Sequence, residues 1–124
     1  MSDRRPVTIE YYYRVRWGAQ DEFWQLFRRN HYPILAEQIR TGRLLEVRAF
    51  VPRFHGDGRA DWNLLVRITY RDWEAVEAHA EPEIAARLYP DQERFHAEEQ
   101  RRFELLEAHW DVPLEERTLD EVSR

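Results

Sequence analysis

The chain has no cysteine among its 124 residues, which removes disulfides, thiolate nucleophiles and Cys-ligated metals or clusters together. It also has no lysine: all 19 basic residues are arginine. Arginine suits bidentate recognition of carboxylate or phosphate. Here it fills every basic position, including ones expected to be solvated such as Arg28, Arg29, Arg101 and Arg102, so an arginine at any one place says little. The four glycines are too few and too scattered for a P-loop, a dinucleotide fingerprint or a nucleophile elbow. No run of about 18 apolar residues occurs, and the stretch Met1 to Pro6 is not followed by an apolar segment, so neither membrane nor export is expected. Cytoplasm is the expected address.

What is present describes a folded domain. The chain is 43% hydrophobic and 14% aromatic, too apolar for disorder, and its length suits a single domain over residues 1–124. A net charge of −5 argues against a phosphate-backbone partner, which usually meets a basic stripe. No nucleic acid is expected.

From Val7 to Trp17 the odd positions are Val7, Ile9, Tyr11, Tyr13, Val15 and Trp17, alternating with Thr8, Glu10, Tyr12, Arg14 and Arg16. That period of two is a half-buried strand. Gly18 ends it, and Asp21 and Glu22 suit the start of a helix over about residues 20 to 40. Phe23, Leu26, Phe27, Ile34 and Leu35 form its apolar stripe, and Gly42 ends it. Pro33 lies inside and should kink or split the helix near Arg29. Asn30, His31 and Gln38 fall within the apolar arc beside that break. Either they bond the backbone groups freed by Pro33, or they face a pocket.

Two alternating runs, Leu45 to Val51 and Trp62 to Tyr70, flank His55-Gly56-Asp57-Gly58 and read as a β-hairpin. Two registers fit. One sets Glu46 opposite Arg67, the other Arg48 opposite Arg67. A cross-strand ion pair gains roughly 0.2–1 kcal/mol and like charges lose as much, so the first is expected, with His55 to Gly58 as a four-residue loop. If Arg48 faces Arg67 instead, a carboxylate or anion should lie near them. The loop from His55 to Asp61 offers an imidazole and two carboxylates, but Gly and Asp are also what tight turns require.

Asp72 is a suitable N-cap, and Pro82 and Pro90 suit the first turns of new helices, dividing residues 72 to 110 into three pieces. The third, about Asp91 to Trp110, reads as a surface helix. A short edge strand is expected from Val112 to Leu119, with Pro113 confining it to an edge. Glu93 and His96 make one E-x-x-H, but a di-iron site needs two, and no metal site is expected.

The order is β-α-β-β-α-β, an α+β, ferredoxin-like arrangement: a four-stranded antiparallel sheet with helices on one face. The other face carries Tyr12, Arg14, Arg16, Arg48, Phe50, Leu65, Arg67 and Thr69, too aromatic for plain solvent surface and too charged for a core. Packing against its copy in a C2 homodimer explains it.

In Tyr11-Tyr12-Tyr13-Arg14-Val15-Arg16, Phe23, Leu26-Phe27, His31-Tyr32-Pro33-Ile34-Leu35 and Leu65 through Trp73, the chain resembles the dimeric α+β barrel superfamily, closest to its NIPSNAP-like and EthD-like branches. The resemblance covers about residues 7 to 80, and the charged helical insertion of about 81–102 departs from it. It implies one pocket per subunit between sheet and helices, used in the superfamily for cofactor-free oxidation of polyketide-like compounds, haem degradation or isomerisation of small lactones. Fold alone does not choose among these. Tyr11, Tyr13, Trp17 and Trp62 from the sheet and Asn30, His31 and Gln38 from the helix would line that pocket, around a small, partly aromatic organic molecule. His31 and Tyr13 are the candidate catalytic pair, because an imidazole facing an aromatic cavity can move protons. No cofactor is called for in this reading. The alternatives are a non-catalytic dimeric module whose aromatics are core, and haem binding through His31 or His79.

Overall fold

A computed structural model describes residues 4–54 and 61–120. Strands β1 (Val7–Val15), β2 (Leu44–Phe50), β3 (Leu64–Tyr70) and β4 (Leu106–Leu114) form one antiparallel sheet in the order β2-β3-β1-β4. The helices are α1 (Gln20–Leu26), α2 (Tyr32–Arg40), α3 (Trp73–Glu77), α4 (Glu81–Leu88) and α5 (Gln92–Glu104). This is the ferredoxin-like α+β arrangement.

The alternation of β1 fixes which face meets the helices. Ile9, Tyr13 and Val15 are buried, and their partners in register, Ile68 and Leu64, are buried with them. Phe23, Leu26, Phe27 and Leu35 close over Tyr13, Val15, Leu64 and Ile68 in one cluster, each contributing about 1.5–3 kcal/mol by leaving water. A second cluster, Ile34 with Ile84, Ala85 and Phe95, joins α2 to α4 and α5. β1 stops at Val15 rather than Trp17. The Asn63 carboxamide accepts from the Val15 N–H and donates to the Val15 carbonyl, both at 2.8 Å, and thereby closes the ladder.

The break at Pro33 is a π-helical turn, Phe27–His31, between α1 and α2. Pro33 has no N–H for the preceding turn. The Arg29 carbonyl accepts instead from the Tyr89 hydroxyl at 2.7 Å. Gly42 ends the helix at φ 83°, a conformation that favours glycine.

The β2–β3 register sets Arg48 opposite Arg67, not Glu46 opposite Arg67 as cross-strand pairing alone predicts. Arg67 finds its carboxylate on the other neighbour: its Nε donates to Glu10 of β1 at 2.9 Å, and its guanidinium lies 4.9 Å from the centre of the Phe50 ring. With Arg67 neutralised from β1, Arg48 opposite it carries little penalty. The expected four-residue loop, His55 to Gly58, lies outside the described residues.

Asp72 caps α3, accepting from the Ala75 N–H at 2.8 Å. Pro82 lies in the first turn of α4, but Pro90 precedes the cap of α5, Asp91. The last helix ends at Glu104 rather than Trp110, and β4 occupies 106–114 rather than 112–119. Pro113 is in that strand, which is an edge. The outer sheet face carries the Glu10–Arg67 pair and a stack of Tyr12 on Trp110 at 5.5 Å. No helix among the described residues is long and apolar enough to cross a membrane.

Candidate active site

Strand register assembles an aromatic and acidic group at the β1–β4 side of the inner face. Tyr13 pairs with His109 and Tyr11 with Asp111, and since successive side chains alternate faces, all four point toward the helices. The Tyr13 ring stacks on the His109 imidazole at 4.3 Å and 10°. It also meets Phe27 edge-on at 6.3 Å, and Phe27 meets His31 edge-on at 5.1 Å. His31, Phe27, Tyr13 and His109 are thus one continuous row from helix to sheet edge. Beside it the Tyr11 and Tyr70 hydroxyls hydrogen-bond at 2.7 Å. Glu81 of α4 and Asp111 act electrostatically on all three tyrosines.

Burial pushes the His31 imidazole down to about 3, with the positive charges of Arg102 and His109 adding to the effect. His31 is neutral at every physiological pH. By accessible area it is half-buried. Glu81 shows the same pairing more sharply: it counts as exposed, yet burial and then Glu99 push its carboxyl up. Burial pushes Tyr13 up to about 12 and raises Tyr11 and Tyr70 as well, so these hydroxyls stay protonated and can donate.

Arg102, expected to be solvated, is 2% exposed. Its guanidinium donates to both Glu99 oxygens, at 3.1 and 3.0 Å, and lies 4.6–5.8 Å from the centres of the Phe103, Phe23 and Phe27 rings. The α5 face that packs inward therefore carries a neutralised cation into the floor of the row.

Of the residues singled out in the sequence, the structure brings Tyr11, Tyr13 and His31 together. Asn30 and Gln38 turn inward and are buried, but bond within the helical layer. Asn30 donates to Glu98 at 3.0 Å and Gln38 to the Ile34 carbonyl at 3.5 Å. Trp17 and Trp62 stand elsewhere. Trp17, past the end of β1, is 77% exposed. Trp62, ahead of β3, packs edge-on against Tyr12 of the outer face at 5.5 Å. Both line a cleft of about 690 Å³ at the end of the sheet with Arg14, Asp21, Val51 and Glu107. His79 is exposed between α3 and α4. Among the described residues no three His, Asp or Glu side chains group as metal ligands, and the Glu99 of the E-x-x-H helix is spent on Arg102.

His109, Asp111 and Glu81 carry no expectation as site residues from the sequence, and Arg102 was expected on the surface. For the first two a signal exists: Leu106, Ala108, Trp110, Val112 and Leu114 alternate with Glu107, His109, Asp111 and Pro113 at the period of a strand.

No protein-family model matches the sequence, and no curated protein is similar to it. Solved structures do share its fold. A NIPSNAP family protein of Agrobacterium tumefaciens C58 superposes with a TM-score of 0.56 at 21% identity, over 97% of this chain and 93% of that one. An EthD family protein of Bacillus halodurans C-125 gives 0.58 at 13%, over 90% and 99%. A dimeric ferredoxin-like protein from an uncultured marine organism gives 0.60 at 6%, over 96% and 95%. The fold shared with these NIPSNAP family, EthD family and dimeric ferredoxin-like proteins is the ferredoxin-like α+β fold. At these identities the likeness is one of fold, and the site must be argued from its own residues.

Proposed function

We propose that the protein is a homodimer, joined through the outer sheet faces, that binds a small, partly aromatic organic molecule in the recess between sheet and helices. What supports this reading is the aromatic row of His31, Phe27, Tyr13 and His109, beside the hydrogen-bonded Tyr11 and Tyr70 hydroxyls. Such a recess offers flat apolar area for stacking and a few hydroxyl donors that fix orientation, which is the usual balance of a small-molecule site. Its two carboxylates, Glu81 and Asp111, disfavour an anion, so the preferred ligand enters uncharged.

In this reading Tyr13 and Tyr11 donate hydrogen bonds to a ligand oxygen. His31 works as a neutral imidazole that positions or polarises the ligand, because a group held neutral so far below pH 7 is a poor store for a proton. The enzymatic form of the proposal is cofactor-free oxidation or isomerisation, in which the protein contributes desolvation and placed hydrogen bonds.

The outer face supports the dimer. Val112 and Leu114 are exposed there beside the Tyr12–Trp110 stack, and dimeric proteins share the fold.

The test is a screen of bicyclic aromatic alcohols and ketones against the isotopically labelled protein by NMR. Saturable shifts at His31 and Tyr13 that disappear in His31→Leu support the reading. Shifts confined to Trp17 and Trp62 would move the site to the end cleft, and no saturable shift at any concentration would leave a non-catalytic dimeric module.

A further inference from the structure

We propose that His109, rather than His31, is the proton acceptor of this recess, and that its ligand carries an acidic hydroxyl, a phenol or enol, on the aromatic body. The inference rests on the recess reading above and specifies its chemistry.

The geometry fixes the tautomer. His109 Nδ1 lies 2.9 Å from the Tyr12 carbonyl oxygen, and a carbonyl only accepts, so Nδ1 carries the hydrogen. In the neutral ring the lone pair is then on Nε2. That atom lies 3.6 Å from Asp111 Oδ1, too long for a hydrogen bond, and the carboxylate is placed to pair with an Nε2 that gains a proton. One ring face is covered by Tyr13 at 4.3 Å. The side chain keeps 32% of its surface accessible.

The other histidine in the row has none of these features. His31 has Arg102 and His109 acting on it and no carboxylate among its electrostatic neighbours, so a proton placed there meets repulsion and poor solvation. A proton placed on His109 meets the Asp111 carboxylate and the Tyr12 carbonyl. The charged groups around the recess are Asp111 on the same strand, Glu81 on α4, and Arg102 with its partner Glu99 on α5.

The step balances within the site. The ligand O–H bond breaks, an Nε2–H bond forms, and the electron pair stays on the ligand oxygen. Net charge is unchanged. The resulting oxyanion accepts from tyrosine hydroxyls that remain protonated, while the imidazolium is neutralised by Asp111. A ligand without the hydroxyl gains stacking but not this exchange, which distinguishes a phenol from its methyl ether.

Para-nitrophenol and para-nitroanisole are therefore the probes, since they share the ring and differ in the one proton. In buffer near neutral pH, where an imidazole is largely unprotonated and free para-nitrophenol is only partly ionised, binding to the wild-type protein should increase the phenolate absorption band. The phenol should bind about tenfold tighter than the ether, the size of one good hydrogen bond. His109→Gln should lose the added band and bring the phenol-to-ether affinity ratio close to one. Asp111→Asn should weaken the band, and His79→Gln should change nothing. An added band that persists in His109→Gln, or equal affinity of the wild type for both probes, overturns the assignment and leaves the recess standing. Binding of neither probe overturns the recess reading and this one with it.

Discussion

Arg102 and Glu99 allow a prediction in which the two halves of one contact behave unequally. The guanidinium side chain is 3% accessible and the carboxylate 20%, so the cation is inside and its counter-charge is at the boundary. Glu99→Gln removes the anion and leaves the cation in place, facing an amide that presents its own N–H groups. Breaking a buried pair from one side costs about 3–5 kcal/mol. Because water reaches one side of Glu99, the expected cost is lower, about 2–3 kcal/mol. For a chain of this length that lowers Tm by about 8–12 °C. Arg102→Met removes the cation itself. It forfeits the ion pair and the ring contacts but also the cost of keeping a charge dry, and the expected net change is within about 1 kcal/mol. In the Arg102→Met background Glu99→Gln should then cost almost nothing, a coupling of about 2 kcal/mol in the double-mutant cycle. Urea and thermal denaturation at one fixed protein concentration measure all four proteins, since an oligomer's stability depends on concentration. Arg102→Met costing more than Glu99→Gln, or costs that simply add, would refute the reasoning.

Other expectations follow from single groups. The His31 imidazole is lowered from 6.5 to about 3, so the unfolded chain takes up its proton first. Stability is full above about pH 6.5 and falls as pH drops, by about 2 kcal/mol at pH 5. His31→Leu should flatten the stability profile between pH 6.5 and 5, a window above that of Glu10, Asp72 and Glu98, which are held low by hydrogen bonds and arginine partners. Glu81, raised by burial, works in the opposite sense as pH falls, so an unchanged slope in His31→Leu refutes the assignment to His31. Asp72→Ala should cost about 1 kcal/mol by thermal melt, through loss of the α3 cap. Val112→Glu on the outer face should shift sedimentation toward monomer, whereas Glu74→Gln, away from the sheet, should leave it unchanged.

The parts of the fold legible in the sequence are those where one periodicity governs. β1 reads directly because one face is helix-covered, and the helical break at Pro33 follows from one missing N–H. The β2–β3 register was not legible because Arg67 has two neighbours and a pairwise argument sees one of them; the deciding carboxylate, Glu10, is 57 residues away. β4 was hidden behind a strongly helical charged run, although its alternation is present from Leu106. Misplacing that strand removed His109 and Asp111 from view, since a residue taken for helix has no defined strand partner. Arg102 illustrates a different obstacle. In a chain where every basic residue is arginine, composition gives no hint which one is buried, and only the packing of Phe23, Phe27 and Phe103 around it does.

The Asn63 carboxamide that closes the ladder against Val15 has a consequence for how the chain can be altered. A side chain supplies the final pair on Val15, while the Asn63 N–H donates to the Tyr13 carbonyl and the Asp61 carbonyl accepts from Arg14 Nε, both at 3.0 Å, so the entry into β3 is pinned to β1 at residues 61 to 63. Extra residues introduced just before Asp61 should lengthen the connection without sliding either strand, making this the natural position for grafting a tag or a second binding loop beside the end cleft.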